Sequence, residues 1–362
     1  MIFGTLWRYF FKYYIMVTTY FLLAIISIVF MIDFNETRSR IGGFPGYTTL
    51  KGAFLTILRM PLIIEQITPF IALFVGMIVI ITLNRRYELV VSRAAGISIW
   101  QLLSPFIIGA FLLGVFTIIC INPLAVFGDN KAVSLIKNWR EESHIQKDST
   151  IIPWINQNNG KERLIIGFKA ISPEKTKLLE PTVIHLDSGN NITLRQDAVS
   201  AILGDGYILL EKVIEYRYGA RPIALESVKI KSNLQKKFLN SLFKQANSIP
   251  FYELPQKIIY SHVLGLETYP LESQFYFLLG TPFLLIAMTL IAGVISLNFN
   301  RTHYSQSLIL SGIFSGFILY IIIVLIKAFG KSGIISPLIV TSVPIIVAIS
   351  LTATVLLWKE DG

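Results

Sequence analysis

Charge is what this chain has least of. Asp, Glu, Lys and Arg make up 15% of its 362 residues, against roughly 25% in a soluble domain. A mean hydropathy of +0.62 confirms that the shortage belongs to an integral membrane protein. Cysteine is nearly absent. Cys120 stands alone inside an apolar run, which excludes an internal disulfide and a cysteine metal cluster and reads as a small buried hydrophobe. The four histidines, His144, His185, His262 and His303, have no H-E-x-x-H or C-x-x-C companion. There is no G-x-S-x-G elbow and no G-x-x-x-x-G-K-[ST] phosphate loop. Carboxylates are almost missing from the apolar runs, with Glu65 and Glu272 near their ends, which argues against a carrier built on buried acids. Neither an enzyme nor a nucleotide-binding motor is written in these residues.

What is present is long apolar runs. A helix needs about 20 apolar residues to cross the hydrocarbon core. Six segments qualify, near residues 13–32, 66–83, 100–121, 272–297, 305–326 and 336–357. The first, behind Arg8 and Lys12, is too long for a signal peptide and has no A-x-A-like site after it, so it is read as a retained span. The second belongs to a longer apolar stretch broken by Arg59, Pro61, Glu65 and Pro69; residues 52–65 are expected at the interface, with the span proper starting near Gln66.

Between the third and fourth spans the texture changes. Residues 123–265 hold 19 of the 32 Lys and Arg. The runs "TIIPWI", "RLIIGFKA", "TVIHLD", "NITLRQDAVSAIL", "GYILLEKVIEYRYG" and "ALESVKIKS" have strand character, punctuated by "DSGN", "GDG" and "YGARP" turns. They predict a compact antiparallel β domain, with Trp154, Phe168, Ile208 and Tyr216 in its core or lining a groove. "GDNKAVSLIKNWREES" and "YELPQKIIYSHVLG" flank it as helices. The fold class is α+β: residues 1–122 carry three spans, 123–268 the β domain with its flanking helices, and 269–362 three more spans.

Six spans put both termini on one side. The short loops of that side, with the termini, carry Arg8, Lys12, Arg85, Arg86, Arg93, Arg301 and Lys359, against Arg38, Arg40, Lys51, Lys327 and Lys331 opposite. The bias and the dense Arg85/Arg86/Arg93 cluster place the termini inside and the β domain outside the cytoplasm. The basic balance implies anionic headgroups nearby, not nucleic acid.

The cluster belongs to "LNRRYELVVSRAAGISIWQ", residues 83–101, read as a short cytoplasmic helix over 84–98. On a helical wheel Arg85, Glu88 and Ser92 share one face, and Arg86 and Arg93 a neighbouring stripe. Val90, Ala94 and Ile97 form the face expected to pack on the membrane domain. Leu89 sits in the polar sector, and Gly96 is a stop. Two readings remain: a solvated connector that obeys the charge rule, or a docking knob with a small apolar centre and a polar rim.

"RRYELVVSRAAGIS" after the second span resembles the coupling segment of the lipopolysaccharide-export permeases, the LptF/LptG family. The likeness runs along the chain: three spans, a β domain, three spans, Pro61 and Pro69 in the second, and "AMTLIAGVISLNF" in the fourth. "FMID" ending at Asp33 and the Glu-Leu-Val core of "RRYELV" resemble the G-type subunit, LptG. The resemblance implies a multi-pass permease of the inner membrane of Gram-negative bacteria, half of an ABC transporter that extracts lipopolysaccharide towards the outer membrane. It implies a homologous LptF-like subunit, an LptB-like cytoplasmic ATPase dimer that binds the ATP and Mg, and an LptC/LptA-like periplasmic bridge protein. The β domain is then a periplasmic β-jellyroll. Arg85, Arg86, Glu88, Leu89, Ser92 and Arg93 become the ATPase-coupling residues, and no cofactor is bound by this chain itself.

A multi-acyl lipid with headgroup phosphates calls for an apolar cavity with a cationic rim. Arg38 and Arg40 end the first span, and Arg59 stands near the outer end of the second; arginine's fork suits phosphate. Arg59 paired with Glu65, or with an acid of another subunit, is the other reading. Gly312 and Gly316 in the fifth span allow close or openable helix contacts, as a lateral gate needs. Two other classes stay open: a lipoprotein-releasing ABC permease, whose extracytoplasmic domain usually follows the first span, and a membrane-anchored envelope scaffold or sensor, which needs no ATPase at residues 84–98.

Overall fold

The structure is a computed structural model that describes residues 4–43, 47–142, 154–158, 163–171, 177–187, 189, 191–204, 206–217, 219–231, 248–263, 267–296 and 306–361. His144, His303 and Arg301, and the first residues of the "TIIPWI" run, lie outside the described residues.

Six helices are long and apolar enough to cross a membrane. Helices α1 (Thr5–Ile41) and α2 (Thr49–Arg85) each run 37 residues, well beyond the apolar runs that betray them. α2 is a single helix, although Pro61 and Pro69 lie within it. Proline removes an amide donor, but a membrane helix tolerates this, and α2 continues through both positions. Residues 52–65, expected at the interface, and the span proper from Gln66 thus belong to one continuous helix. The short α3 (Glu88–Ala94) follows, then α4 (Ile99–Phe116), a π-helical turn (Thr117–Ile121) and α5 (Asn122–Glu142). The entry helix expected before the β domain is thus the continuation of the third span. After the β domain come α6 (Leu254–Val263) and the three remaining spans, α7 (Tyr269–Ser296), α8 (Gln306–Lys331) and α9 (Pro337–Asp361).

The bundle is packed around α2 and α7, whose most apolar windows are 61% and 67% buried. Leu73, Ile80, Leu83, Leu103, Phe106, Leu285 and Met288 form its centre. Gly76 lies so close to α7 that an added Cβ would meet the Ala292 methyl at 2.9 Å.

Residues 146–249 with 253–268 form the second compact unit. Its eight described strands pair antiparallel throughout: β1 (Trp154–Asn158), β2 (Arg163–Gly167), β3 (Ala170–Ile171), β4 (Lys177–Leu179), β5 (Thr182–Leu186), β6 (Ile192–Gly204), β7 (Tyr207–Arg217) and β8 (Ile223–Lys231). β6 is the backbone of the sheet. It pairs β5 and then β4 along one edge and β7 along the other. Phe168 and Ile208 lie in the core, as the sequence indicates, but Tyr216 is 40% and Trp154 51% exposed.

Tyr216 is outside the core for a definite reason. Side chains alternate along a strand, so Ile208 and Leu210 place every even residue of β7 inside. Lys212, with φ 54°, is skipped in the register: Glu211 pairs Ser200 and Val213 pairs Ala198. The register is the same on either side, with Val199 opposite Lys212, so it is the left-handed residue that turns the strand over, burying Val213 and Glu215 and turning Tyr216 out. Trp154 pairs Gly167 across the outermost described strand. Its ring occupies the space where a Cβ on Gly167 would sit.

Candidate functional site: the α2–α4 connection

The segment singled out in the sequence is two pieces, not one helix. α2 ends at Arg85, and Tyr87 adopts a left-handed φ of 63° that turns the chain before Glu88 begins α3. The last turn closes with the Gly96 amide on the Arg93 carbonyl and the Ile97 amide on the Ser92 carbonyl, at 2.9 and 3.2 Å. These are the paired bonds of a Schellman stop, and Gly96 supplies the φ of 83° that they require. Ser98 then caps α4, its hydroxyl accepting the Gln101 amide.

The break resets the wheel. With α3 starting at Glu88, Leu89 (3% exposed) and Ser92 face inward, and Val90 and Val91 (65%) face out. Leu89 is thus part of the bundle core with Leu83, Ile99 and Leu102, not an exposed knob; of the three residues expected to pack, Val90 and Ala94 are exposed, whereas Ile97 does pack on the core. A wheel drawn through Arg85–Ile97 carried the phase of α2 across a left-handed residue that discards it. The Ser92 hydroxyl donates to the Glu88 carbonyl at 2.6 Å. Arg85, Arg86 and Arg93 are exposed.

Glu88 is held from α1. The Tyr9 hydroxyl donates to its Oε1 at 3.2 Å, and Arg86 lies 4.0 Å from the same oxygen while covering the Tyr13 ring at 5.5 Å. Its Oε2 is buried with no hydrogen-bond partner among the described residues. The Trp7 indole donates to Ser104 on α4 at 3.1 Å, so the start of α1 is tied both to the connection, through Glu88, and to α4. Tyr9 and Trp7 were missed in the sequence because aromatic residues at the end of a span read equally well as interfacial anchors. Outward stand Val90 and Val91 with Tyr87, Ala94 and Ala95, bordered by Arg86 and Arg93: an apolar centre with a cationic margin.

The other predicted residues lie elsewhere in the bundle. Arg38 and Arg40 occupy the last turn of α1, at the end opposite Tyr9. Arg40 pairs Glu36 one turn back at 2.6 Å, both exposed. Within the chain Arg59 pairs not Glu65 but Asp33 on α1, at 3.2 Å, with Asp33 buried and the arginine about one-third exposed. Glu65 takes Asn122 instead. Gly312 and Gly316 bring α8 against its neighbours. A Cβ at Gly316 would meet Leu73 of α2 at 2.4 Å, and one at Gly312 would meet Ile295 of α7 at 2.9 Å. Among the described residues no group of His, Cys, Asp or Glu is assembled to hold a metal ion.

Six candidate spans, an antiparallel sheet inserted after the third, and a short surface-presented helix between the second and third define a multi-pass α+β membrane protein of permease architecture. The family model described as lipopolysaccharide export system permease LptF/LptG matches residues 8–359, and the chain belongs to that family. Comparison with curated proteins finds no match.

Proposed function

We propose that this chain is one of two homologous permease subunits of an ABC transporter that extracts lipopolysaccharide from the inner membrane of a Gram-negative bacterium. Its partner is an LptF-like subunit, and this chain takes the G-type role. In this reading the termini and α3 are cytoplasmic, and an LptB-like ATPase dimer binds ATP and Mg and grips Val90 and Val91 between Arg86, Glu88 and Arg93. The β domain is periplasmic, of jellyroll type, and passes the lipid to an LptC/LptA-like bridge. Arg38 and Arg40 meet headgroup phosphates, and Arg59 joins them only if phosphate displaces Asp33. Gly312 and Gly316 let α8 approach and leave its neighbours as a gate.

The observation that carries the proposal is the family match across both sets of spans and the domain between them. It is supported by the exposed valines, because an interface of this kind concentrates its energy in a few apolar residues within a polar margin. The test is purification of the tagged chain from bacterial membranes, followed by reconstitution. Recovery of an ATPase dimer and a second, non-identical six-span permease, with ATP-driven release of lipopolysaccharide from proteoliposomes, is expected. A preparation without an ATPase, or a cysteine at Val91 labelled from the periplasmic side, would overturn the proposal.

A further inference from the structure

The third span departs from α-helical geometry over Thr117–Ile121. A π turn carries one extra residue, and such turns gather at functional sites. Here it has two effects. The Ile119 carbonyl is left to receive the Tyr252 hydroxyl at 3.2 Å. The helix beyond is rotated by about 100°, and its first residue, Asn122, points inward and is 1% exposed.

Asn122 is a hub. Its Nδ2 donates to both oxygens of Glu65 on α2, at 3.1 and 3.2 Å, and its Oδ1 accepts the Phe251 amide at 2.9 Å. A carboxylate on one side demands a donor and an amide N–H on the other an acceptor, so the orientation of the side chain is fixed by its partners. The Phe251 ring stacks on Phe275 of α7, centroids 5.3 Å apart and planes 8° from parallel. Asn122 therefore lies at the end of the third span's apolar run, on the helix that leads on towards the β domain, and it holds Phe251, where the returning chain first rejoins the bundle unit. Both passages meet at one side chain.

The other end of this arrangement is α2. The same helix that presents Glu65 runs without interruption to Arg85 and so into α3, about 30 Å further along its axis. We infer that Asn122 is a coupling residue: through Glu65 it makes α2 a rod that transmits displacement of the α2–α4 connection to the two chain passages serving the β domain. The inference rests on the ABC-exporter reading. It assigns to a partly buried carboxylate near the outer end of a span a mechanical role rather than a ligand. A purely structural role would require only that Glu65 be satisfied by some donor; the coupling role requires that the donor be Asn122, because that residue also accepts the Phe251 amide.

Asn122→Asp keeps an acceptor for the Phe251 amide but sets a carboxylate against Glu65. Adding Glu65→Gln restores a donor–acceptor pair with the roles exchanged. In the reconstituted complex, ATP hydrolysis and lipid release are measured together. Asn122→Asp is expected to cut lipid released per ATP by about fivefold or more while hydrolysis stays within about twofold, and the double variant is expected to recover the ratio. An unchanged ratio in Asn122→Asp, or no recovery in the double variant, would overturn the inference alone. A parallel fall of both rates would show a folding role and overturn it as well. If Asn122→Asp does not assemble, the double variant decides: a wild-type ratio supports the clamp and a reduced one overturns it. Wild-type complex that releases no lipid would overturn the exporter reading together with the inference.

Discussion

α7 and α8 are neighbours in sequence and nearly equal in apolarity, yet the most apolar window of α7 is 67% buried and that of α8 only 17%. The difference shows what apolarity does and does not specify. In lipid an apolar side chain gains nothing by leaving the tails for another helix, so burial within the bundle comes from close approach, and close approach comes from small residues. α7 has them on several sides. Gly293 receives Leu103 of α4, Ala292 meets Gly76 of α2, and Gly280 lies against Thr341 and Ile345 of α9. α8 has Gly312 and Gly316 on one side, while Leu310, Phe314 and Phe317 stand exposed on the other. α1 follows the same rule, with 6% of its window buried. The helices left uncovered are the first and fifth spans, whose bare faces await a second permease in the proposed assembly.

The largest effect is expected where two helices touch backbone to backbone. A Cβ at Gly114 of α4 would lie 2.4 Å from the Pro282 Cα on α7, an atom that no rotamer change moves. Gly114→Val is expected to destabilise the purified chain by about 3 kcal/mol or more, read as a lowered thermal midpoint. Phe314→Ala, at a position 65% exposed, is expected to leave that midpoint unchanged and to reduce recovery of the second permease. Equal shifts in both variants would break the contrast between covered and bare helices.

The same contrast recurs within one turn of α3. Leu89 is in the core and Val91 is in the open. Leu89→Ala is expected to cost about 2–3 kcal/mol of stability by leaving a cavity, whereas Val91→Ala stays within about 0.5 kcal/mol. Val91→Asp is expected to strip the ATPase from the purified complex without shifting the thermal midpoint of the permease. An inverted order of the two alanine variants would mean that the faces of α3 are assigned the wrong way round.

Leu89 also marks the limit of what the residues themselves disclose. The six spans, the place of the β domain and its main strands are legible because each rests on a local property, a long apolar run or a two-residue alternation. The faces of the 84–98 segment were not legible, because a single left-handed residue, Tyr87, reset the helical phase, and non-glycine residues seldom announce such a conformation. Tyr216 was lost the same way, when Lys212 shifted the parity of β7. The short β3 and β4 offered too few residues for a pattern. Pairings across the bundle, Asp33 with Arg59 and Glu65 with Asn122, were not legible either. They depend on which helices adjoin, and hydropathy is blind to that. Asn122 had a faint signal, an amide at the end of the apolar run "TIICI", but a polar residue at a span end is ordinary.

The smallest expected effect belongs to a partly exposed group in a surface turn, where local hydrogen-bond geometry dominates. Asp187, in the turn between β5 and β6, accepts the Asn191 amide at 2.9 Å and the Gly189 amide at 2.8 Å on Oδ1. The Asn191 amide, foremost, and then the Gly189 amide favour the charged carboxylate and hold its pKa below the usual value. A carboxyl group whose pKa is lowered by folding stabilises the turn at pH values above its unfolded pKa, and that contribution is lost as the pH falls through the lowered folded value. Hydrogen exchange at the Asn191 amide, corrected for the intrinsic pH dependence, is therefore expected to lose protection on acidification across that window. Asp187→Asn keeps an acceptor oxygen but no charge, so its corrected exchange is expected to be flat with pH and less protected at neutrality. A wild-type profile as flat as that of the variant would show that the turn is held by its backbone alone. Water would then cancel in the β domain an interaction of the kind that, at Glu65 and Asn122, burial preserves.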